Sequence, residues 1–245
     1  MANLYKRAKN KLRTKSAEVL HSAVHNSPPW LRSSIGPWLC YAEMLILDHG
    51  IVRILYNNRH QLSDKVWRSA QPSPHHIRYV AARGVKTVVN LRGDQSFGTH
   101  WLEDQACKNN GVKLVNFRVR SRAAPSREEL RAAKALFETL EYPVLMHCKS
   151  GADRAGIMSV LYRFVHEGVP LAEAKKQLSL KYGHIRQADT GVLDYFFECY
   201  EADNAKSPIG FWDWVETKYQ PDAVNASFHA KGWANRLVNG VLDRE

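Results

Sequence analysis

From Val66 onward the apolar positions alternate between two periods, and each change of period is marked by a glycine or proline. Val66 to Arg68 is a short strand ending in the turn Ser69-Ala70-Gln71-Pro72, and a helix follows from Pro74 to Arg83, closed by Gly84. The β-branched run Thr87-Val88-Val89 makes Val85 to Leu91 a buried strand, and Arg92-Gly93-Asp94 is its exit loop. A helix over 100–110 stops at Gly111, and Val112 to Arg120 is the next strand, with Arg118, Arg120 and Arg122 alternating along its end onto one face. Ser126 with Glu129 three residues later forms a capping box and opens a helix to Leu140. Pro143 to Met146 is a strand, and helices follow over 154–167, 171–180 and 190–202. Strands alternating with helices predict an α/β fold built on a central, mainly parallel sheet flanked by helices, whose ligands bind beyond the carboxyl ends of the strands.

The flanks read differently. Lys6, Arg7, Lys9, Lys11, Arg13 and Lys15 make residues 1–27 a basic arm without the apolar run of a secretory signal, so export by that route is not expected. Residues 28–61 are an extension whose apolar stretch, 28–56, is interrupted by Arg32, Glu43, Asp48 and Arg53. That stretch is too broken to span a bilayer, but Ile35, Trp38, Leu39, Ala42, Leu45 and Ile46 recur at helical spacing, as in an amphipathic helix. Residues 62–202 then form the α/β domain and 203–245 an aromatic-rich helical extension. That extension lacks the clustered Lys and Arg a nucleic-acid surface needs, so nucleic acid is not an expected partner.

Two bulk properties narrow the chemistry. The 35 Lys and Arg against 24 Asp and Glu give a net charge of +11, which favours anionic partners such as phosphate esters and anionic membrane surfaces. Cys40, Cys107, Cys148 and Cys199 stand far apart with no paired spacing, so neither a disulfide framework nor a structural metal site is expected, and the setting reads as reducing and cytoplasmic. A peripheral position at a membrane is the alternative that the arm and the amphipathic stretch leave open.

The segment after the Met146 strand, His147-Cys148-Lys149-Ser150-Gly151-Ala152-Asp153-Arg154, makes little sense as packing. A short loop ending at a helix N-terminus lets successive N–H groups surround a tetrahedral oxyanion, with the helix dipole adding positive potential. That field also favours a thiolate at Cys148, which makes it a nucleophile, while the Arg154 fork suits two phosphate oxygens. Residues 149–154 are the phosphate cradle, and His147 supports the loop through a hydrogen bond.

HCKSGADR resembles the HCxxGxxR phosphate loop of the cysteine-dependent protein tyrosine phosphatase superfamily, in particular its compact dual-specificity branch and the bacterial and lipid-directed relatives. The resemblance extends over residues 62 to 200 through VWRSAQP and VVNLRGD. It implies a cysteinyl-phosphate at Cys148, a phosphate clamp at Arg154, and release by water without metal or other cofactor. Two departures stand out. The residue after the loop arginine is Ala155 rather than the family's Ser or Thr, which predicts slow breakdown of the intermediate. Residues 115–127 contain no acidic residue for the usual general acid, leaving Asp153 and Asp94 as candidates, with Asp153 preferred.

Lys149 resembles the basic loop position of phosphoinositide-directed members. With Arg92, Arg118, Arg120, Arg122, His184 and Arg186 as candidate substrate contacts, it points to a lipid-linked or polyphosphorylated substrate. A protein tyrosine or dual-specificity phosphatase, or a phosphate-binding adaptor with little turnover, are the alternatives.

Overall fold

The computed structural model describes residues 57–94 and 98–229 and the isolated positions Ser22, Asn26 and Pro28. Apart from those three positions, the expected basic arm and the amphipathic helix within 28–56 lie outside the described residues, as does 230–245. Among the described residues no helix is long and apolar enough to cross a membrane.

The chain divides into two compact units, one formed by residues 1–118 and 141–151, the other by 119–140 and 152–245. The first contains the whole sheet. Its strands are β1 (His60–Ser63), β2 (Val66–Ser69), β3 (Thr87–Asn90), β4 (Lys113–Asn116) and β5 (Val144–His147), in the order β1-β2-β5-β3-β4. β1 runs antiparallel to β2 and every other pairing is parallel, as the alternating pattern predicts. β3 and β5 are buried at every position, which is why both read as unbroken runs rather than as alternation. Among the described residues the unit also holds helices α1 (Pro74–Ala81) and α2 (Gly98–Asn109). Ile77 and Val80 of α1 and Ala106 and Cys107 of α2 form one cluster with Val88 and Leu145 from the sheet.

One strand lies outside the sequence expectations and another is shorter than expected. A strand at 60–63 was absent from the pattern because HQLS carries a single apolar residue, Leu62. The strand expected to reach Arg120 ends at Asn116, because β3, its only partner among the described residues, ends at Asn90 directly opposite. Past that register the chain has no ladder to extend, although the exposures still alternate: Arg118, Arg120 and Arg122 are exposed while 117, 119 and 121 are half-buried.

The second unit is helical. It comprises α3 (Arg127–Thr139), α4 (Asp153–Leu161) continued by a π-helical turn at Tyr162–His166, then α5 (Leu171–Ala174), α6 (Val192–Lys206), α7 (Phe211–Thr217) and helical residues 221–229. Ser126 caps α3 as expected, accepting from the Glu129 N–H while Glu129 reaches back to the Ser126 N–H. The helix expected over 171–180 is shorter: it tightens to a 3-10 turn at Lys175–Gln177, after which Leu178 leaves helical geometry and is buried. Most aromatic side chains of α6 and α7 are core, while Tyr195 and Trp212 are half-buried. Phe196, Phe197, Phe211, Trp214 and Tyr219 are buried and meet edge to face or tilted, with Phe196 and Tyr219 5.1 Å apart. Burial pushes the Tyr219 phenol far up, consistent with its hydroxyl donating to the Pro125 carbonyl at 2.6 Å.

Candidate active site

Cys148 follows the carboxyl end of β5, the central strand of the sheet, so the loop begins where a parallel sheet offers its ligand crevice. The strand register persists one residue further, with the Cys148 N–H reaching the Ser69 carbonyl at 3.4 Å. The side chain is only 2% exposed. Lys149 is half-buried, Ser150 exposed, and Gly151 and Ala152 buried.

Three successive carbonyls of this loop are tied back by the first unit. The Lys149 oxygen accepts from the Gln71 N–H at 3.3 Å, the Ser150 oxygen from Asn58 Nδ2 at 2.9 Å, and the Gly151 oxygen from the Arg68 guanidinium at 2.6 Å. The peptides here are trans, and in a trans peptide the carbonyl and the following N–H point in opposite directions. The N–H groups of Ser150, Gly151 and Ala152 therefore each point away from the tethered carbonyl that precedes them. Gly151 makes the turn with φ +74°, and a Cβ there would lie 2.6 Å from the Ala70 nitrogen. Glycine is needed twice over, for the left-handed backbone and for the close approach to the exit of β2.

Arg68 and Asn58 were not singled out in the sequence. Arg68 is completely buried within β2, a position where a guanidinium is tolerated only with its N–H groups engaged. The one signal was a charge inside an otherwise apolar strand run. Asn58 is 4% exposed and takes a left-handed backbone with φ 47°, a conformation asparagine accepts more readily than most residues. Its Oδ1 faces His60 Nε2 at 3.1 Å.

A second layer runs behind the loop. His147 is fully buried, and its Nε2 faces Glu103 Oε1 of α2 at 2.6 Å. Glu103, itself 1% exposed, accepts from Gln71 Nε2 at 2.9 Å through its other oxygen, and Gln71 Oε1 accepts from Arg92 at 2.8 Å. Arg92, expected as a substrate contact, is thus carried on the same Gln71 whose N–H holds the loop. Glu103 was also missed, although it lies on the buried stripe of α2 formed by Thr99, Leu102 and Ala106. The neighbouring Cys107 thiol is pushed far above its ordinary range by burial first, then by Glu103 and Asp104. Asp94 is solvent-exposed, with an exposure of 87%, and its Oδ1 lies 3.4 Å from His100 Nε2. Arg118 packs its Cβ close over Gly93 in the same loop.

In the second unit, Asp153 and Arg154 open α4, both half-buried, and Ala155 is buried behind them. His184 is 1% exposed, and its Nδ1 and Nε2 lie 2.7 Å from Asp153 Oδ1 and 2.7 Å from Asp194 Oδ2. Burial pulls its pKa down, but the two carboxylate hydrogen bonds and charges push it up to about 9. With a carboxylate at each nitrogen, His184 is held as an imidazolium donating through both, so both of its polar atoms are engaged. Two of the arginines expected at the rim are exposed and ion-paired. Arg120 is held bidentately by Glu129 at 2.9 and 2.7 Å, and Arg186 donates to Glu198 at 2.5 Å. Arg122 is exposed.

With this geometry in place, three comparisons bear on the chain. Residues 54–191, more than half of it, match the model of the family described as DSP-PTPase phosphatase fused to NAD+ kinase. The probable chloroplastic NAD kinase 2 of Oryza sativa subsp. japonica is 26% identical over 140 residues, 54% of this chain and 14% of that protein. The dual specificity protein phosphatase TpbA of Pseudomonas aeruginosa is 30% identical over 112 residues, 45% of this chain and 48% of TpbA. The TpbA crystal structure superposes with a TM-score of 0.47 at 23% identity, over 59% of this chain and 91% of that one. The inositol diphosphatase DSP3 of Arabidopsis thaliana is 26% identical over 160 residues, 61% of this chain and 75% of DSP3. The chain thus spans about half of TpbA and a seventh of the NAD kinase.

Proposed function

The chain belongs to the DSP-PTPase phosphatase family, a dual-specificity-like branch of the cysteine-dependent protein tyrosine phosphatase superfamily, and we propose that it hydrolyses phosphate monoesters through a cysteinyl-phosphate. The observation that carries this reading is the triple tie-back of the Lys149, Ser150 and Gly151 carbonyls, which points each following N–H group away from its tethered carbonyl in a loop that begins at a cysteine and ends at an arginine. In this reading the amide N–H groups of the loop and the N-terminus of α4 receive the phosphate oxygens, and such preorganised donors are where most of the rate enhancement of phosphoryl transfer originates.

In this reading Cys148 Sγ attacks phosphorus and the bond to the ester oxygen breaks. The leaving oxygen takes a proton from a carboxylic acid, and water then attacks the thiophosphate, returning the thiolate and inorganic phosphate. Arg154 holds two equatorial oxygens throughout. Of the two candidate acids, Asp94 is the one we assign: it is exposed in the loop that Arg92 opens. Asp153, preferred from the sequence, has an oxygen committed to His184. Comparison of D94N with D153N on an alkyl phosphate, whose leaving group needs a proton, and on an activated aryl phosphate tests this. D94N is expected to lose about 10²- to 10⁴-fold on the first and much less on the second.

For the substrate we propose a molecule with more than one anionic group, polyphosphorylated or lipid-linked. Arg92 anchored beside the loop, Arg118 above Gly93 and exposed Arg122 support this, as does the similarity to a plant relative named an inositol diphosphatase. A protein phosphatase is the second reading, favoured by the similarity to TpbA. A phosphate-release panel of inositol polyphosphates, phosphoinositides, other lipid phosphates and phosphopeptides separates them. Loss of all release in C148S, with ligand binding kept, excludes a binding adaptor.

A further inference from the structure

Arg154 leaves α4 in its first turn, and among the described residues the residue before it, Asp153, is the one point where α4 is pinned by a charged partner from outside the helix. That partner, His184, lies on the segment between the 3-10 turn Leu180–Tyr182 and α6, and its other nitrogen is bound to Asp194 in the first turn of α6. Gly183, with φ +76°, brings this segment against α4, where a Cβ would sit 3.9 Å from the Ala152 side chain. One ring therefore joins the first turns of two helices. Both carboxylates lie where helix dipoles already favour negative charge, so they are natural acceptors for a cation.

We infer that His184 is a positioning residue: as a doubly bound cation it fixes Asp153, and with it the direction in which Arg154 leaves the helix, so the anion affinity of the loop depends on an intact Asp153–His184–Asp194 strut. The inference deepens the phosphatase reading and rests on its placing Arg154 on the bound anion, not on turnover. The groups facing the ring are Asp153 from α4 and Asp194 from α6. On its own segment Lys181 lies over the Tyr182 ring and Arg186 is turned onto Glu198, both exposed. Loss of the ring proton leaves one nitrogen without a hydrogen to donate, so one of the two carboxylates loses its bond and the strut opens at one end.

Tungstate is a suitable probe because its charge is constant from neutral to alkaline pH, and a C148S background removes the thiol from the titration. Calorimetric affinity in that background is expected to fall about tenfold between about pH 7 and about pH 9.5 as His184 deprotonates. H184Q, able to reach only one carboxylate, is expected to bind about tenfold more weakly at neutral pH and to show no alkaline fall. D194N keeps the bond to Asp153 and so guards against misfolding; its alkaline fall is expected about one pH unit lower, because one of the two supporting charges is gone. A folded H184Q that binds tungstate with unchanged affinity and an unchanged pH profile overturns the inference. If the tungstate shifts appear but the active chain releases phosphate from no substrate, the inference stands and the phosphatase reading falls.

Discussion

The two units order their polar interiors by different means. In the first, the cysteine end of the loop is held by uncharged acceptors: three backbone carbonyls take their hydrogen bonds from a backbone N–H, an asparagine amide and a buried guanidinium. In the second, the start of α4 is held by a cation between two carboxylates. Their buried histidines show the same contrast. His76 of α1 has its pKa lowered to about 4 by burial, aided by His75 and Arg59, and as a neutral ring it pairs through Nδ1 with the Ser73 hydroxyl at 2.8 Å. His184 suffers burial as well but is pushed up to about 9 because two carboxylates outweigh it. Burial alone does not decide the charge of a histidine; the partner that burial brings does.

That comparison breaks most visibly at Gly151. G151A places a methyl against the Ala70 nitrogen in a backbone conformation alanine resists, so phosphate release is expected to fall at least about 10³-fold with melting lowered by several degrees, read by activity and calorimetry together. Next is R68M, which leaves the Gly151 carbonyl without its guanidinium. A loss of about 10²-fold in kcat/KM is expected, in kcat more than in KM, since the loop is misaligned rather than removed.

A smaller effect sharpens the contrast through pH. His184 gains a proton affinity on folding, so its stabilisation is complete below about pH 6.5 and is lost as pH rises through about 9. His76 loses proton affinity on folding, so stability declines as pH falls from about 6.5 toward 4. Thermal melts across pH should show an alkaline decline that D194N moves to lower pH and an acid decline that H76Q reduces. The smallest effect is expected from R120A: its pair with Glu129 is exposed, and about 0.2–1 kcal/mol of stability is at stake, measured by denaturant unfolding.

Much of the fold was legible because each strand of the parallel sheet beyond the first is a compact apolar run with a glycine or proline boundary, and Ser126 with Glu129 announced α3 outright. β1 escaped because an edge strand of four residues with one apolar side chain leaves no period to read. At the site, the cysteine, glycine and arginine were readable from spacing, since the chemistry concentrates them in eight residues. What holds them was not: Asn58, Arg68, Gln71 and Glu103 are tens of residues away in sequence and reach the loop only through strand register and helix packing. His184 shows the limit most clearly. A histidine beside a glycine and an arginine looks like a binding residue until Asp153 and Asp194, at separations of 31 and 10 residues, are seen to occupy both nitrogens.

The Cys107 thiol carries a consequence for oxidation. Kept protonated by burial and by the carboxylates of Glu103 and Asp104, it is a poor nucleophile toward peroxide and toward any sulfenic acid formed at Cys148. A sulfenic acid at Cys148 would therefore not be resolved by Cys107, and C107S should leave the recovery of an oxidised sample by added reductant unchanged.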